Sequence, residues 1–183
     1  MTDAPLVVVT SCSLNPTSRS HRLAEAAVAA VDAAGARAEL LDLREWKLPL
    51  CDGTASFEHP SVAPLAEKIG GASAVLVSAP VYNYDLNAAA KNLVEMTGSA
   101  WSEKPVGFLC AAGGERSYMS PIGLANSLMF DFRSLIIPRF VYCTKADFDS
   151  DGALGAPLQG RVDQLARMAV DLVRGLDWAR RHR

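Results

Sequence analysis

Residues 6–24, LVVVTSCSLNPTSRSHRLA, join an unbroken β-branched run to a dense set of small hydroxyls and then to an Ala-rich helical pattern. The run 6–11 reads as a buried strand, being apolar on successive positions and closed by polar turn residues. Leu23, Ala24, Ala27, Val28 and Val31 then recur at helical spacing over about 19–34, and Gly35 stops the helix.

The same strand-then-helix unit recurs down the chain. RAELLDL (37–43) is the second strand, followed by a long polar segment, REWKLPLCDGTASFEHPS (44–61). A helix at about 61–70 leads to a third strand, SAVLVSA (73–79), and a helix at about 87–98 leads to a fourth, KPVGFLCAA (104–112). Ser120 and Pro121 read as an N-cap and first-turn proline of a helix running to about Leu135. RFVYCT (139–144) is the fifth strand. Leu158, Val162, Leu165, Ala169, Leu172, Val173 and Leu176 define a final amphipathic helix. Five such units without an internal repeat predict a single α/β domain over residues 1–183. Its parallel sheet is covered by helices on both faces and joined by right-handed crossovers.

Composition narrows the function classes. The chain has 183 residues, half of them apolar, and a formal net charge of −2. That length suits one real core, and that charge gives no basic footprint for nucleic acid or an anionic membrane. The basic end RRHR (180–183) reads as a solvated tail. No apolar stretch approaches the ~20 residues of a membrane span, and no basic region precedes the first apolar run as a signal peptide requires. Cys12, Cys51, Cys110 and Cys143 form no C-x-x-C pair, which fits reduced thiols and a cytoplasmic location. The three His are scattered without metal-ligand spacing, so no metal is expected.

Sheets of this class bind ligands beyond the carboxyl ends of their strands. The loops after strands one, three and four therefore carry the chemistry. After strand one, Ser13, Asn15, Thr17, Ser18 and Ser20 supply hydroxyl and amide groups, and Arg19 supplies charge, at the positive end of a helix. Helix capping needs only one such residue, whereas a phosphate monoester accepts several hydrogen bonds at once. The triphosphate loop G-x-x-x-x-G-K-[ST] and the dinucleotide G-x-G-x-x-G are both absent, which points to a single phosphate. After strand three, Pro80 and Val81 lead into Tyr82, Asn83 and Tyr84. The two tyrosines either wall a planar heterocycle or pack on the following helix. After strand four, Gly113 and Gly114 can leave backbone open beneath a ring.

These segments resemble the NAD(P)H-dependent FMN reductases of flavodoxin-like fold. SCSLNPTSRS is similar to the family's phosphate loop, G-S-x-R-x-x-S-x-N, with Cys12 where Gly is common, Asn15 where Arg is common and Ser20 where Asn is common. APVYNYDLNAAAKN is similar to P-E-Y-N-x-x-x-P-G-x-L-K-N, with Val81 for Glu and Asn87-Ala88 for Pro-Gly. KPVGFLCAAGGERS resembles a K-P-V strand ending in Gly-Gly, and DLREWKLPLCDG resembles the D-L-x-x-x-x-L-P-x-x-D segment. The resemblance implies a three-layer sandwich with a five-stranded parallel sheet in order 2-1-3-4-5. It implies FMN as cofactor, held by Ser13, Asn15, Ser18, Arg19, Ser20, Pro80, Val81, Tyr82, Asn83, Tyr84, Gly113 and Gly114. It further implies hydride transfer from NADPH or NADH to flavin N5, then electron delivery to free flavin, a quinone, an azo compound or a metal oxyanion. No catalytic side chain is implied, because the cofactor carries the chemistry. A flavodoxin-like electron carrier and an FMN-binding sensor module are the other readings of the same cradle.

Trp46, Leu48, Leu50 and Phe57 lie in the polar segment 44–61. Exposed apolar surface costs about 25 cal/mol per Å², so this segment either folds back on its own domain or is covered by a second copy. The second outcome, with the 87–98 helix as the other element, predicts a homodimer or homotetramer.

Overall fold

The computed structural model describes residues 4–182. Strand β1 (Leu6–Ser11) lies inside a sheet whose parallel order is β2 (Arg37–Asp42), β1, β3 (Ala74–Tyr82), β5 (Pro105–Ala111) and then β6 (Leu135–Ile136). Strand β7 (Val141–Cys143) also pairs with β5, and β4 (Asp85–Leu86) pairs antiparallel with the end of β3. With the antiparallel β4 set aside and β6 and β7 counted as one broken strand, this is the flavodoxin-like order 2-1-3-4-5.

The alternation of strand side chains builds two cores. Val7, Val9, Leu76 and Leu109 face α1 (Arg19–Ala33) and α5 (Ala156–Arg181). Val8, Val75, Val77 and Phe108 face α2 (Val62–Gly71), α3 (Ala88–Thr97) and α4 (Ile122–Phe132). Gly107 allows the close approach of α5. A Cβ there would stand 2.8 Å from Leu76 Cδ2 and 2.9 Å from Leu165 Cδ1.

Several expected boundaries move, each for a local reason. The third strand does not stop at residue 79. It runs to Tyr82 and turns through Asn83 and Tyr84 into β4. The fifth strand, expected at 139–144, covers only Val141–Cys143 and is preceded by the two-residue piece β6, which together with β4 gives seven strands rather than five. Ile137 N–H still donates to Val106 O (2.9 Å), but Pro138 has no N–H for the ladder and the pairing lapses until Val141. The helix expected to reach Leu135 ends at Phe132, where Arg133 turns left-handed (φ 55°). Ser120 does not cap it. Its hydroxyl donates to Ser117 O, and the helix begins beyond Pro121. The basic end is less loose than a tail, since Arg180 and Arg181 complete α5; Arg183 lies outside the described residues.

The long segment after β2 is ordered by side-chain bonds. It carries 3₁₀ turns at Leu43–Glu45 and Ala55–Glu58. Asn92 of α3 accepts from Cys51 N–H (2.8 Å) and donates to Pro49 O (2.8 Å). Asp52 accepts from Ser56 Oγ (2.7 Å) and from the backbone of Thr54 (2.8 Å). Trp46 and Leu48 are half-buried against the core, whereas Leu50 is 78% exposed and Phe57 46% exposed.

Candidate functional site

The carboxyl ends of β1, β3 and β5 frame a cleft of about 410 Å³. Its first wall is the β1–α1 connection, contributing Asn15, Thr17, Ser18, Arg19 and Ser20. Pro80, Val81 and Tyr82 form the second wall, and Ala111, Ala112 and Gly113 the third. Among these lining residues Arg19 alone carries a charge.

The first wall is shaped by its own side chains. Asn15 Oδ1 accepts from Thr17 N–H (3.0 Å) and Thr17 Oγ1 (3.1 Å), and Asn15 O accepts from Ser18 N–H (3.2 Å). This compact turn delivers Ser18 to the N-cap of α1. The Ser18 hydroxyl makes no capping bond there; it lies 2.7 Å from Ser20 Oγ. Both serines are buried in the isolated protein (8% and 0% exposed), so two paired hydroxyls are held at an uncapped helix N-terminus. An uncapped end leaves first-turn N–H groups and the positive pole of the helix for an anion. Ser78 Oγ donates to Ser20 O (2.6 Å), tying this turn of α1 to β3.

The connection is pinned from the other side by Asn87, whose amide donates to Cys12 O (2.7 Å) and whose Oδ1 is buried without a partner. Cys12 itself is no nucleophile, since burial pushes its thiol up to about 12.

The second wall belongs to the β3–β4 hairpin. Asn83 (φ 51°) and Tyr84 (φ 69°) are both left-handed, as a two-residue type I′ turn requires. Tyr82 and Tyr84 are each 56% exposed, so neither ring is consumed by packing on the following helix. The third wall is backbone and methyl groups. Tyr142 donates to Gly114 O and stacks edge-on with Tyr118 (centroids 5.7 Å apart), which fixes the loop behind the cleft.

Of the residues expected from sequence, Asn15, Ser18, Arg19, Ser20, Pro80, Val81, Tyr82 and Gly113 converge on this cleft. Ser13, Asn83, Tyr84 and Gly114 adjoin it but do not line it. Ser13 is buried and accepts from Asn15 N–H (3.2 Å), which makes it part of the loop's frame. Ala111 and Ala112 went unread because a methyl group carries no chemical signal. Asn87 went unread because its bond spans 75 positions.

The donor set fits a phosphate monoester: neutral hydroxyls, one guanidinium and an open helix end, beside an exposed aromatic ring for a planar group. Two other depressions have different chemistry. An open furrow of about 650 Å³ runs along α5 between Arg139 and Leu176. A hollow of about 410 Å³ beside α3 is lined mainly by apolar groups including Leu14, Trp46, Leu48 and Leu50. Among the described residues no cluster of three or more His, Cys, Asp or Glu can hold a metal ion, and no helix is long and apolar enough to cross a membrane.

Residues 5–147 match the family model described as NADPH-dependent FMN reductase. The FMN reductase (NADPH) of Pseudomonas aeruginosa is 26% identical over 138 residues, covering 74% of each chain. Among solved structures, an oxidoreductase from Corynebacterium diphtheriae superposes with a TM-score of 0.75 at 18% identity, covering 95% of this chain and 99% of that one. A flavoenzyme NAD(P)H:(acceptor) oxidoreductase from Paracoccus denitrificans gives 0.72 at 21% identity, covering 91% and 97%. At these identities the two structures speak for the fold.

Proposed function

The chain belongs to the NADPH-dependent FMN reductase family, and from that premise we propose that it moves electrons from NADPH or NADH to a small acceptor through FMN held in the β1–β3–β5 cleft. The observation that carries this is the buried Ser18–Ser20 hydroxyl pair at the uncapped start of α1. Ser18, Ser20, Thr17 and Asn15 would hold the phosphate with α1's first-turn N–H groups, and Arg19 would balance its charge. Pro80, Val81 and Tyr82, the second wall, would hold the ring system. The N–H of Gly113 would meet its polar edge.

Bound FMN supplies hydride acceptance from the nicotinamide and electron release to the acceptor. The protein's own share is to bind, orient and screen from water, and no side chain of the cleft is needed as a general acid or base. The acceptor class is free flavin, a quinone, an azo compound or a metal oxyanion. Its entry side is the rim at Tyr82, which is 56% exposed.

The working unit in this reading is a cytoplasmic homodimer or homotetramer. Leu50 and Phe57 remain exposed although Trp46 and Leu48 fold inward, and Leu50 lines the largely apolar hollow beside α3. Light scattering reads this directly, since a lone 19.5 kDa species at micromolar concentration contradicts it.

The test of the activity is spectroscopic. Protein loaded with FMN should bleach anaerobically on adding NADPH and recolour on adding menadione or free flavin. A carrier or sensor would hold FMN yet show no steady NADPH oxidation.

A further inference from the structure

We propose that Arg44 is a positioning residue for the phosphate end of the site, a brace that shapes the β1–α1 turn before any ligand arrives; this rests on the anion reading of that turn. Arg44 lies outside the cleft and lines the neighbouring hollow. Its guanidinium is fixed on one side by Asp42, the last residue of β2. Nε stands 3.0 Å from Oδ1 and 2.8 Å from Oδ2, and Nη2 bonds the same carboxylate. Asp42 Oδ1 also accepts the backbone N–H of Arg44 (3.0 Å). Burial by itself would raise the Asp42 carboxyl, but the bonds and charge of Arg44 outweigh it and hold the group below the usual carboxylate range.

On a second side Nη2 rests 2.9 Å from Nε2 and 3.1 Å from Nδ1 of His21, whose Nδ1 lies 3.0 Å from Ser11 Oγ. That leaves Nη1, which donates to Pro16 O at 3.3 Å. Pro16 sits between Asn15 and Thr17, inside the turn that delivers Ser18 and Ser20. The turn's internal bonds set its local shape. The brace from Arg44 sets where that shape stands relative to β2 and α1.

A loop ordered in advance loses less entropy on binding. Removing the brace should therefore weaken phosphate recognition without touching a group that contacts phosphate. A lysine in its place keeps the charge but cannot span Asp42 and Pro16 together, because it lacks the planar fork.

The experiment compares FMN and riboflavin binding, by quenching of flavin fluorescence, for the wild-type protein, Arg44→Met and Arg44→Lys. Amide exchange of Asn15, Thr17 and Ser18 is followed in the flavin-free proteins. Both variants should lower the FMN-to-riboflavin affinity ratio by about tenfold and speed exchange at Thr17 and Ser18. A wild-type ratio in Arg44→Lys would overturn the proposal, since charge alone would then suffice. So would unchanged exchange in both variants, since a direct phosphate contact leaves the empty loop as it was. Equal affinity of the wild-type protein for the two flavins would overturn the anion reading itself. If Arg44→Met does not fold, Asp42→Asn releases the same brace from its other end and is held to the same outcomes.

Discussion

Tyr82 and Asp85 face each other as the closing pair of the β3–β4 hairpin, with Asn83 and Tyr84 turning the chain between them. Asn tolerates the left-handed region, but Tyr does not favour it. The left-handed penalty is about 1–2 kcal/mol per residue, and a glycine here would recover it less about 0.5–1 kcal/mol of chain entropy. Tyr84→Gly should thus raise stability by up to about 1.5 kcal/mol while slowing NADPH turnover. Thermal melts and steady-state rates measure the two sides. A destabilised variant with wild-type turnover would show that Tyr84 serves the fold.

In the proposed reading Ser18→Ala removes a donor to the FMN phosphate, and it also removes the partner of Ser20 Oγ. A hydrogen bond to a charged group is worth about 1.5–3 kcal/mol, so FMN should bind about tenfold more weakly or worse. Riboflavin, which lacks the phosphate, should bind as before. Parallel titrations of the two flavins check this.

Gly107→Ala tests the packing of α5 on β5. Its new methyl would meet two fully buried leucines, Leu76 and Leu165, on a face already filled by Ile137. Overpacking of this kind costs about 1–3 kcal/mol, read as a lower denaturation midpoint. Because the site lies at the far end of the strand, FMN affinity should not change.

Thiol reactivity should be sharply unequal. Burial pushes Cys12 and Cys143 up to about 12 and Cys110 higher still, and all three are enclosed. Only Cys51 is partly accessible. A thiol-reactive dye at pH 8 should modify about one thiol per native chain and all four after denaturation.

Asp147 should make a measurable share of acid stability. Burial pushes its carboxyl up, but the Thr144 N–H at 2.8 Å and the Arg161 guanidinium at 2.6 Å outweigh that and hold it below the ordinary range. A carboxyl depressed by folding stabilises the protein above its unfolded pKa of about 4. That contribution is lost as pH falls through the folded value. Asp147→Asn should therefore melt lower than the wild type at pH 7, and the two curves should converge towards pH 2.

The parts of this molecule legible in its sequence are those fixed by neighbours along the chain. LVVVTS could only be an enclosed strand, and the residues from Leu158 to Leu176 could only be one face of a helix. The hydroxyls at Ser18 and Ser20 were legible because their number exceeds what a cap requires. The hairpin was not, because β4 spans only two residues and no alternating pattern fits in that length. The break at Pro138 was hidden because its effect depends on which strand lies alongside. Arg44 and Asn92 were hidden for the same reason. Their bonds reach Pro16 and Pro49 across 28 and 43 positions, and nothing local announces them.

The interruption at Pro138 also bears on how copies of this chain can meet. An uninterrupted outer strand is a template onto which another molecule's backbone can zip. On the β5 side, that border consists of two-residue and three-residue pieces with a gap between them. On the opposite side, β2 carries charges at Arg37 and Glu39, the latter paired with Lys68, and the N–H of Ala38 is taken by the Asp32 carboxylate (3.1 Å). Both borders are therefore blunted against edge-to-edge pairing. An association of copies is then expected to run through side chains on loops and helices, with the sheet left private to each chain.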